Sequence, residues 1–195
     1  MTEASKVTQA NKELRLGKRI MNIRTTEAAT HMQIAKLNYA EVEGIYNASS
    51  VNPLDVRQLE RFLFLLINND RVNNKYYKET KGLTQRLMWH ESAAQIARNY
   101  SWDMAMRNYF SHFNPEGFTV AERLNRTRIE WSAVGENIAI GDDAVGIHLG
   151  FMSEKPFEQN HRANILSAQI THCGIGIIRP ADGLFFVSEI FLRLK

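Results

Sequence analysis

Apolar and polar positions repeat with a helical period over most of this chain and with a strand period only near its end. Residues 55–74, DVRQLERFLFLLINNDRVNN, predict an amphipathic helix with Asp55 as its N-cap. Lys81–Leu83 interrupts the pattern. Residues 85–110 then predict a second long helix, with Leu87, Ala94, Ala97, Ser101 and Met104 forming one small and apolar stripe. The stretch SHFNPEGF carries Pro115 and Gly117 and predicts a loop. Thr119 followed by Glu122 is a capping box, so residues 119–126 predict a short helix.

Beyond this point the elements shorten. GENIAIG predicts a short strand, residues 143–154 a helix capped by Asp142 or Asp143, and HRANILSA another short helix. HCGIGIIRP and GLFFVSEIFLRL predict two strands joined at Ala181–Gly183. This order predicts an α+β fold, with helices around a small, mainly antiparallel sheet. Residues 1–55 are more polar and lack strand patterns. Within them, Ala29, Met32, Ile34, Leu37, Tyr39, Val42 and Ile45 fall mostly on a helical period, and Asn47–Pro53 is a turn-rich break. The division expected is a helical N-terminal extension, 1–55, and a domain, 56–195, with Met32, Leu37 and Ile45 packing the extension on the domain.

Composition narrows the class. The chain has 195 residues, of which 44% are hydrophobic and 23% charged, which suits one globular domain with an appendage. A net charge of +3 makes no case for nucleic acid, and the densest basic stretch, Arg15–Arg24, reads as a solvated helix face. The longest apolar run, Phe62–Ile67, is far short of the roughly 20 residues of a membrane span. No apolar h-region stands at the N-terminus, so no signal peptide is expected in this chain. Cys173 is the single cysteine, which excludes an intrachain disulfide.

The candidate chemistry lies in four short stretches. They are YFSH ending at His112, GEN around Glu136, FMSE ending at Glu154, and NHRANIL containing His161. His161 either anchors local backbone or belongs to a site whose other members lie far away in sequence. The other histidines suit surface or satisfied positions: His90 near a helix start, His148 mid-helix, His31 in the extension. His172 is badly placed to activate Cys173, because adjacent strand residues point to opposite faces.

Taken in order, these stretches resemble the CAP superfamily of cysteine-rich secretory, antigen 5 and pathogenesis-related proteins, and within it the bacterial, SCP-like branch without disulfides. LINNDR with Asn68 and Arg71, DMAMRNYFSH, GENIAIG, HRANIL and CGIGI carry the resemblance, which covers about residues 60–195. It implies an α-β-α sandwich with a central cleft holding two histidines and two acids, here His112, Glu136, Glu154 and His161. Phe151 stands where bacterial members often have tryptophan. Extra residues before His161 make Glu158 a rival to Glu154. Gly135, Asn137, Arg162 and Asn164 are expected to support the backbone around these side chains. Two neutral imidazoles suit Zn²⁺ or another divalent cation, with His112 and His161 as ligands and carboxylates or water completing the shell.

The resemblance further implies an extracellular or cell-envelope location and a module that binds metal, lipid or a protein partner. Its rivals are a hydrolase, in which the histidines and carboxylates activate water, and an interaction scaffold using residues 1–55.

Overall fold

A computed structural model describes residues 56–180 and 183–195. The expected extension, the Asp55 cap and the centre of the 181–183 turn lie outside the described residues. The elements in chain order are α1 (Val56–Arg71), a 3₁₀ turn (Asn74–Tyr76), α2 (Tyr77–Thr80), β1 (Met88–Trp89), α3 (Glu91–Arg107), α4 (Val120–Asn125), β2 (Trp131–Gly141), α5 (Ala144–Ser153), α6 (His161–Leu166), β3 (His172–Ile178) and β4 (Phe185–Leu194).

The four strands form one sheet in the order β1-β3-β4-β2. β4 pairs antiparallel with both β3 and β2, while β1 joins β3 in parallel. The fold is thus the expected α+β type with a mainly antiparallel sheet. One element differs from the sequence reading. Met88 and Trp89, expected in the second helix, form β1, because the Met88 amide donates to Thr171 O and the His90 amide to Cys173 O. The helix starts three residues past Met88. His90 is its N-cap, its Nδ1 accepting from the Ala93 amide.

Side-chain alternation along the strands divides the core. One face of the sheet carries Ile190 and Leu192, packed with Ala93, Ala97 and Leu124 of α3 and α4. Of the stripe expected on the second helix, Ala94, Ala97, Ser101 and Met104 are buried on α3, whereas Leu87 precedes β1 and lies outside the helix. Gly174 and Gly176 of β3 let α3 lie directly on the strand: a Cβ at either position would stand within 3.0 Å of α3 backbone atoms. The opposite face carries Cys173, Ile175, Glu189 and Asn137, and α1, α5 and α6 cover it.

Three polar side chains lock α1 to the rest. Asn68 bonds both backbone groups of Leu87, accepting from its amide at 2.6 Å and donating to its carbonyl at 3.2 Å, as a neighbouring strand would. Glu60 takes three hydrogen bonds from Arg98 of α3 and one from the amide of Ile177, on an edge of β3 that the short β1 leaves open. Arg71 donates to the carbonyls of Gln85, Ile165, Ser167 and Ile170. Burial pushes its guanidinium down only to about 10, so it stays charged at neutral pH.

Candidate functional site

The site is built around residues 135–137 of β2, an edge strand. Gly135 has no side chain, and a Cβ there would meet Asn164 Oδ1 at 2.8 Å. This space lets α6 press against the strand edge. Asn164 Nδ2 donates to Glu136 O at 3.3 Å and to Asn137 Oδ1 at 2.9 Å. Asn137 Nδ2 donates to His161 O at 3.2 Å. These bonds supply partners that an edge strand otherwise takes from water.

Glu136 and Asn137 point to opposite faces of the sheet. Glu136 lies on the α3/α4 side, its side chain only 2% exposed, and His112 Nδ1 pairs with its Oε2 at 3.0 Å. Arg123 of α4 bonds the other carboxylate oxygen, and its guanidinium lies 3.3 Å from the centre of the Tyr100 ring. It also donates to Phe118 O at 3.2 Å and reaches His112 O at 3.5 Å, so one cation fixes both the acid and the loop that carries its histidine. The Tyr100 hydroxyl bonds Ser111 O and tightens the same loop. Burial pushes this hydroxyl up, against the pull of Arg123.

A second pair forms where α5 ends and α6 begins. Glu154 is the C-cap residue of α5, and His161 is the first residue of α6. His161 Nδ1 meets Glu154 Oε1 at 2.6 Å, and the ring stacks on Phe151 at 4.4 Å with 26° between planes. Phe151 therefore serves as the aromatic floor of this histidine. Glu158 stands apart, exposed and 3.8 Å from Lys155 Nζ. Arg162 anchors the turn through Glu79 and Met152 O, and Glu79 raises the pKa of its guanidinium further. Its amide also donates to Glu154 Oε2 at 3.4 Å.

The four candidate residues form two pairs, His112–Glu136 and His161–Glu154, and hydrogen bonds through residues 136–137 and Asn164 connect the segments that carry them. Each imidazole engages its carboxylate through Nδ1, which leaves Nε2 outside these bonds. Among the described residues, no group of three or more His, Cys, Asp or Glu could hold a metal ion. The carboxylates are committed to orienting the rings, so they suit the outer partners of a metal-bound histidine rather than its ligands.

Sequence reasoning missed Arg123 and Tyr100. An arginine in an amphipathic helix and a tyrosine in a core stripe carry no signal of a shared partner. It also missed Glu189, whose carboxylate Oε2 accepts from Asn137 Nδ2 at 3.0 Å. The remaining candidates behave as structural groups. The Cys173 thiol is fully buried and pushed up well above its ordinary range, so it is no nucleophile. His172 is paired with Thr171 Oγ1 at 2.9 Å and stands edge-on to His90. Beside Arg123, a groove of about 570 Å³ runs between α3 and α4, with Tyr100, Trp102 and Phe118 in its lining. Neither site histidine lines it. No helix among the described residues is long and apolar enough to cross a membrane.

The sequence pattern of the family described as CAP, cysteine-rich secretory protein family, matches residues 64–191. Two Bacillus subtilis (strain 168) proteins are similar in sequence. The uncharacterized membrane protein YlbC is 31% identical over 96 residues, covering 48% of this chain and 26% of its own. The uncharacterized protein YkwD is 28% identical over 159 residues, covering 81% of this chain and 57% of its own. This chain therefore spans a quarter to somewhat over half the length of these relatives. Among solved structures, an extracellular protein containing an SCP domain from Bacillus anthracis str. Ames aligns with a TM-score of 0.57 at 29% identity, over 74% of this chain and 45% of its own. An outer surface protein from Borrelia burgdorferi aligns over 74% of this chain and 97% of its own with a TM-score of 0.56, and at 13% identity it speaks for the fold alone. The family pattern covers the greater part of this chain, and the chain belongs to the CAP family.

Proposed function

We propose that this domain is an extracellular or cell-envelope ligand-binding module rather than an enzyme, and that residues 136–137 and the two histidine–carboxylate pairs line one cleft that receives the ligand. The observation that carries this reading is the shared Nδ1 geometry. Each imidazole is oriented by a held carboxylate, so each presents Nε2 as an adaptable donor or acceptor. The similar SCP-domain protein described as extracellular, at 29% identity, supports the location. Exposed rings lie near the pairs along the chain: Phe110 and Phe113 on either side of His112, and Phe157, in a left-handed conformation with φ 65°, between Glu154 and His161. A polar centre with an apolar rim suits a lipid or another amphipathic ligand.

The hydrolase reading needs a nucleophile or an activated water beside an oxyanion donor. Neither His112 nor His161 is hydrogen-bonded to a hydroxyl or thiol among the described residues, which favours binding. The scaffold reading rests on residues 1–55, outside the described residues. Native mass spectrometry after organic extraction tests the binding reading. A co-purified lipid that is lost from His161→Ala supports it. Turnover of ester or peptide substrates that His112→Ala and His161→Ala both abolish would replace it with the hydrolase.

A divalent cation belongs to the same reading. It would be held by His112 and His161 with water and would supply Lewis acidity or a bridge to an anionic ligand group. Binding requires unprotonated rings, and free imidazole takes up its proton near pH ~6.5. Zn²⁺ at about 100 times its dissociation constant should add roughly 2.7 kcal/mol of stability. The expected result is a rise in melting temperature with zinc above pH ~7 that fades toward pH ~5. His112→Ala and His161→Ala should each remove it. A zinc shift that survives the double variant would place the metal elsewhere.

A further inference from the structure

The groove beside Arg123 is a second concave surface, apart from the two histidine–carboxylate pairs. Its volume of about 570 Å³ is that of a small-ligand site. α3, residues 114–118, α4 and the two residues after it supply the lining, and no strand contributes. Trp102 is 54% exposed in this lining. Its indole N–H donates to no described residue, whereas that of Trp89 is taken by Glu91 at 2.7 Å. The polar groups of the groove are held in place yet keep bonding capacity. Asn99 Oδ1 accepts from Gln95 Nε2 at 2.9 Å, and Asn114 Oδ1 accepts from the Phe118 amide at 2.7 Å. Each amide is thus oriented by its oxygen, with its NH₂ group left as a donor. Arg107 bonds both oxygens of Glu116, at 2.7 and 3.0 Å, and Asp103 Oδ1 at 3.3 Å. Asp103 Oδ2 accepts from the Tyr109 hydroxyl at 2.6 Å. Both carboxylates still have lone pairs to offer. Arg126 lies over the Phe118 ring at 3.8 Å.

This set selects among ligands. An acyl chain needs a continuous apolar wall, and Ile96 is the one aliphatic side chain in the lining among the described residues. A peptide that adds a strand needs a free sheet edge, and an amphipathic helix needs an apolar trough. The groove has neither. Its charge is balanced: Arg123 is neutralised by Glu136, and Arg107 and Arg126 stand against Asp103 and Glu116. A strongly charged ligand therefore gains nothing here. A sugar ring matches what is present. Its hydroxyls donate and accept at once, so they need amide and indole donors beside carboxylate acceptors, and its C–H face packs on an exposed aromatic ring. We propose that the groove between α3 and α4 is a binding site for a neutral glycan, in which Trp102 stacks on a sugar face and Asn99, Asp103, Asn114 and Glu116 bond its hydroxyls. Because ion pairs and hydrogen bonds already fix these side chains, little freedom is lost on binding.

The test is NMR of the full chain titrated with chitotetraose, cellotetraose and maltotetraose, three neutral glycans of different linkage. At least one should bind with a millimolar or tighter dissociation constant, shifting the Trp102 indole and the side-chain amides of Asn99 and Asn114. Trp102→Ala should weaken that binding by about tenfold or more, the loss of an aromatic anchor. Its melting temperature should match wild type, because the side chain is exposed. Trp102→Phe, which keeps a ring, should recover part of the affinity. Asn99→Ala, an exposed change on the same helix, should weaken binding several-fold and gives a readout independent of Trp102. His161→Ala should bind as wild type does, since His161 lies outside the lining. No shift with any of the three glycans, shifts confined to the segments around His112 and His161, or affinity unchanged in both Trp102→Ala and Asn99→Ala would overturn the proposal.

Discussion

Gly176→Ala should cost the domain at least about 3 kcal/mol, the upper end of ordinary overpacking, and should leave much of the protein unfolded at 37 °C. The new Cβ would sit inside 3.0 Å of Arg98 N and Ala97 C, which are backbone atoms of α3 and cannot rotate aside. The helix would have to lift off β3 as a unit. In doing so it would pull Arg98 from Glu60 and Tyr100 from Arg123, so the His112–Glu136 pair would loosen with it. Gly174→Ala should act in the same way, as its Cβ would meet Ala94 N and Ala93 C. Gly150→Ala is the contrasting substitution. It lies in α5 with open space around the added methyl, and helix propensity predicts a gain of up to about 1 kcal/mol. Urea unfolding of the three variants measures this. A Gly176→Ala protein within about 0.5 kcal/mol of wild type would show that α3 does not rest on β3 in solution.

Arg71→Met should cost about 3–5 kcal/mol, the range for breaking a buried, fully bonded charge. Methionine matches much of the aliphatic volume but leaves four carbonyls of Gln85, Ile165, Ser167 and Ile170 without their donor. Two of these belong to the end of α6 and the residue that caps it, so the loss is local as well as global. Amide exchange over 161–166 should accelerate more than exchange in β3 or β4. Arg71→Lys should recover only part of the stability, since one ammonium carries three donors against a planar fork of five. Equal acceleration across all elements would mean that Arg71 stabilises the fold without a special hold on the helix that carries His161.

Much of the fold is legible in the sequence because its signals are local. Thr119 and Glu122 form both halves of their capping box, and of the two aspartates considered for α5 it is Asp143 that caps. The glycines and branched residues of 172–178 mark a strand without reference to anything distant. Met88 and Trp89 were not legible as a strand. They continue a helical pattern, and their two-residue pairing with His172 and Cys173 exists only because β3 arrives beside them from more than 80 positions later. His148 read as a satisfied or surface histidine, yet it is almost wholly buried and satisfied at one nitrogen only. Its partner Asp70 belongs to a different helix, and a contact across 78 residues leaves no periodic trace.

The candidate site divides along the same line. The order of short motifs carried the CAP resemblance, and it was this resemblance that pointed to His112, Glu136, Glu154 and His161 and to the supporting Gly135, Asn137, Arg162 and Asn164. The sequence alone also determined the free thiol, the absence of an intrachain disulfide and the helical and strand periods. Only the tertiary structure decided that each imidazole takes one carboxylate through Nδ1, that Arg123 holds Glu136, and that Glu158 faces away. It alone placed Asp70 and His148 together in the interior. The reason is physical: periodicity and capping are set by neighbours within a turn, whereas hydrogen-bond partners and the cost of burying a charge depend on which distant residues the packed sheet and helices bring within about 3 Å.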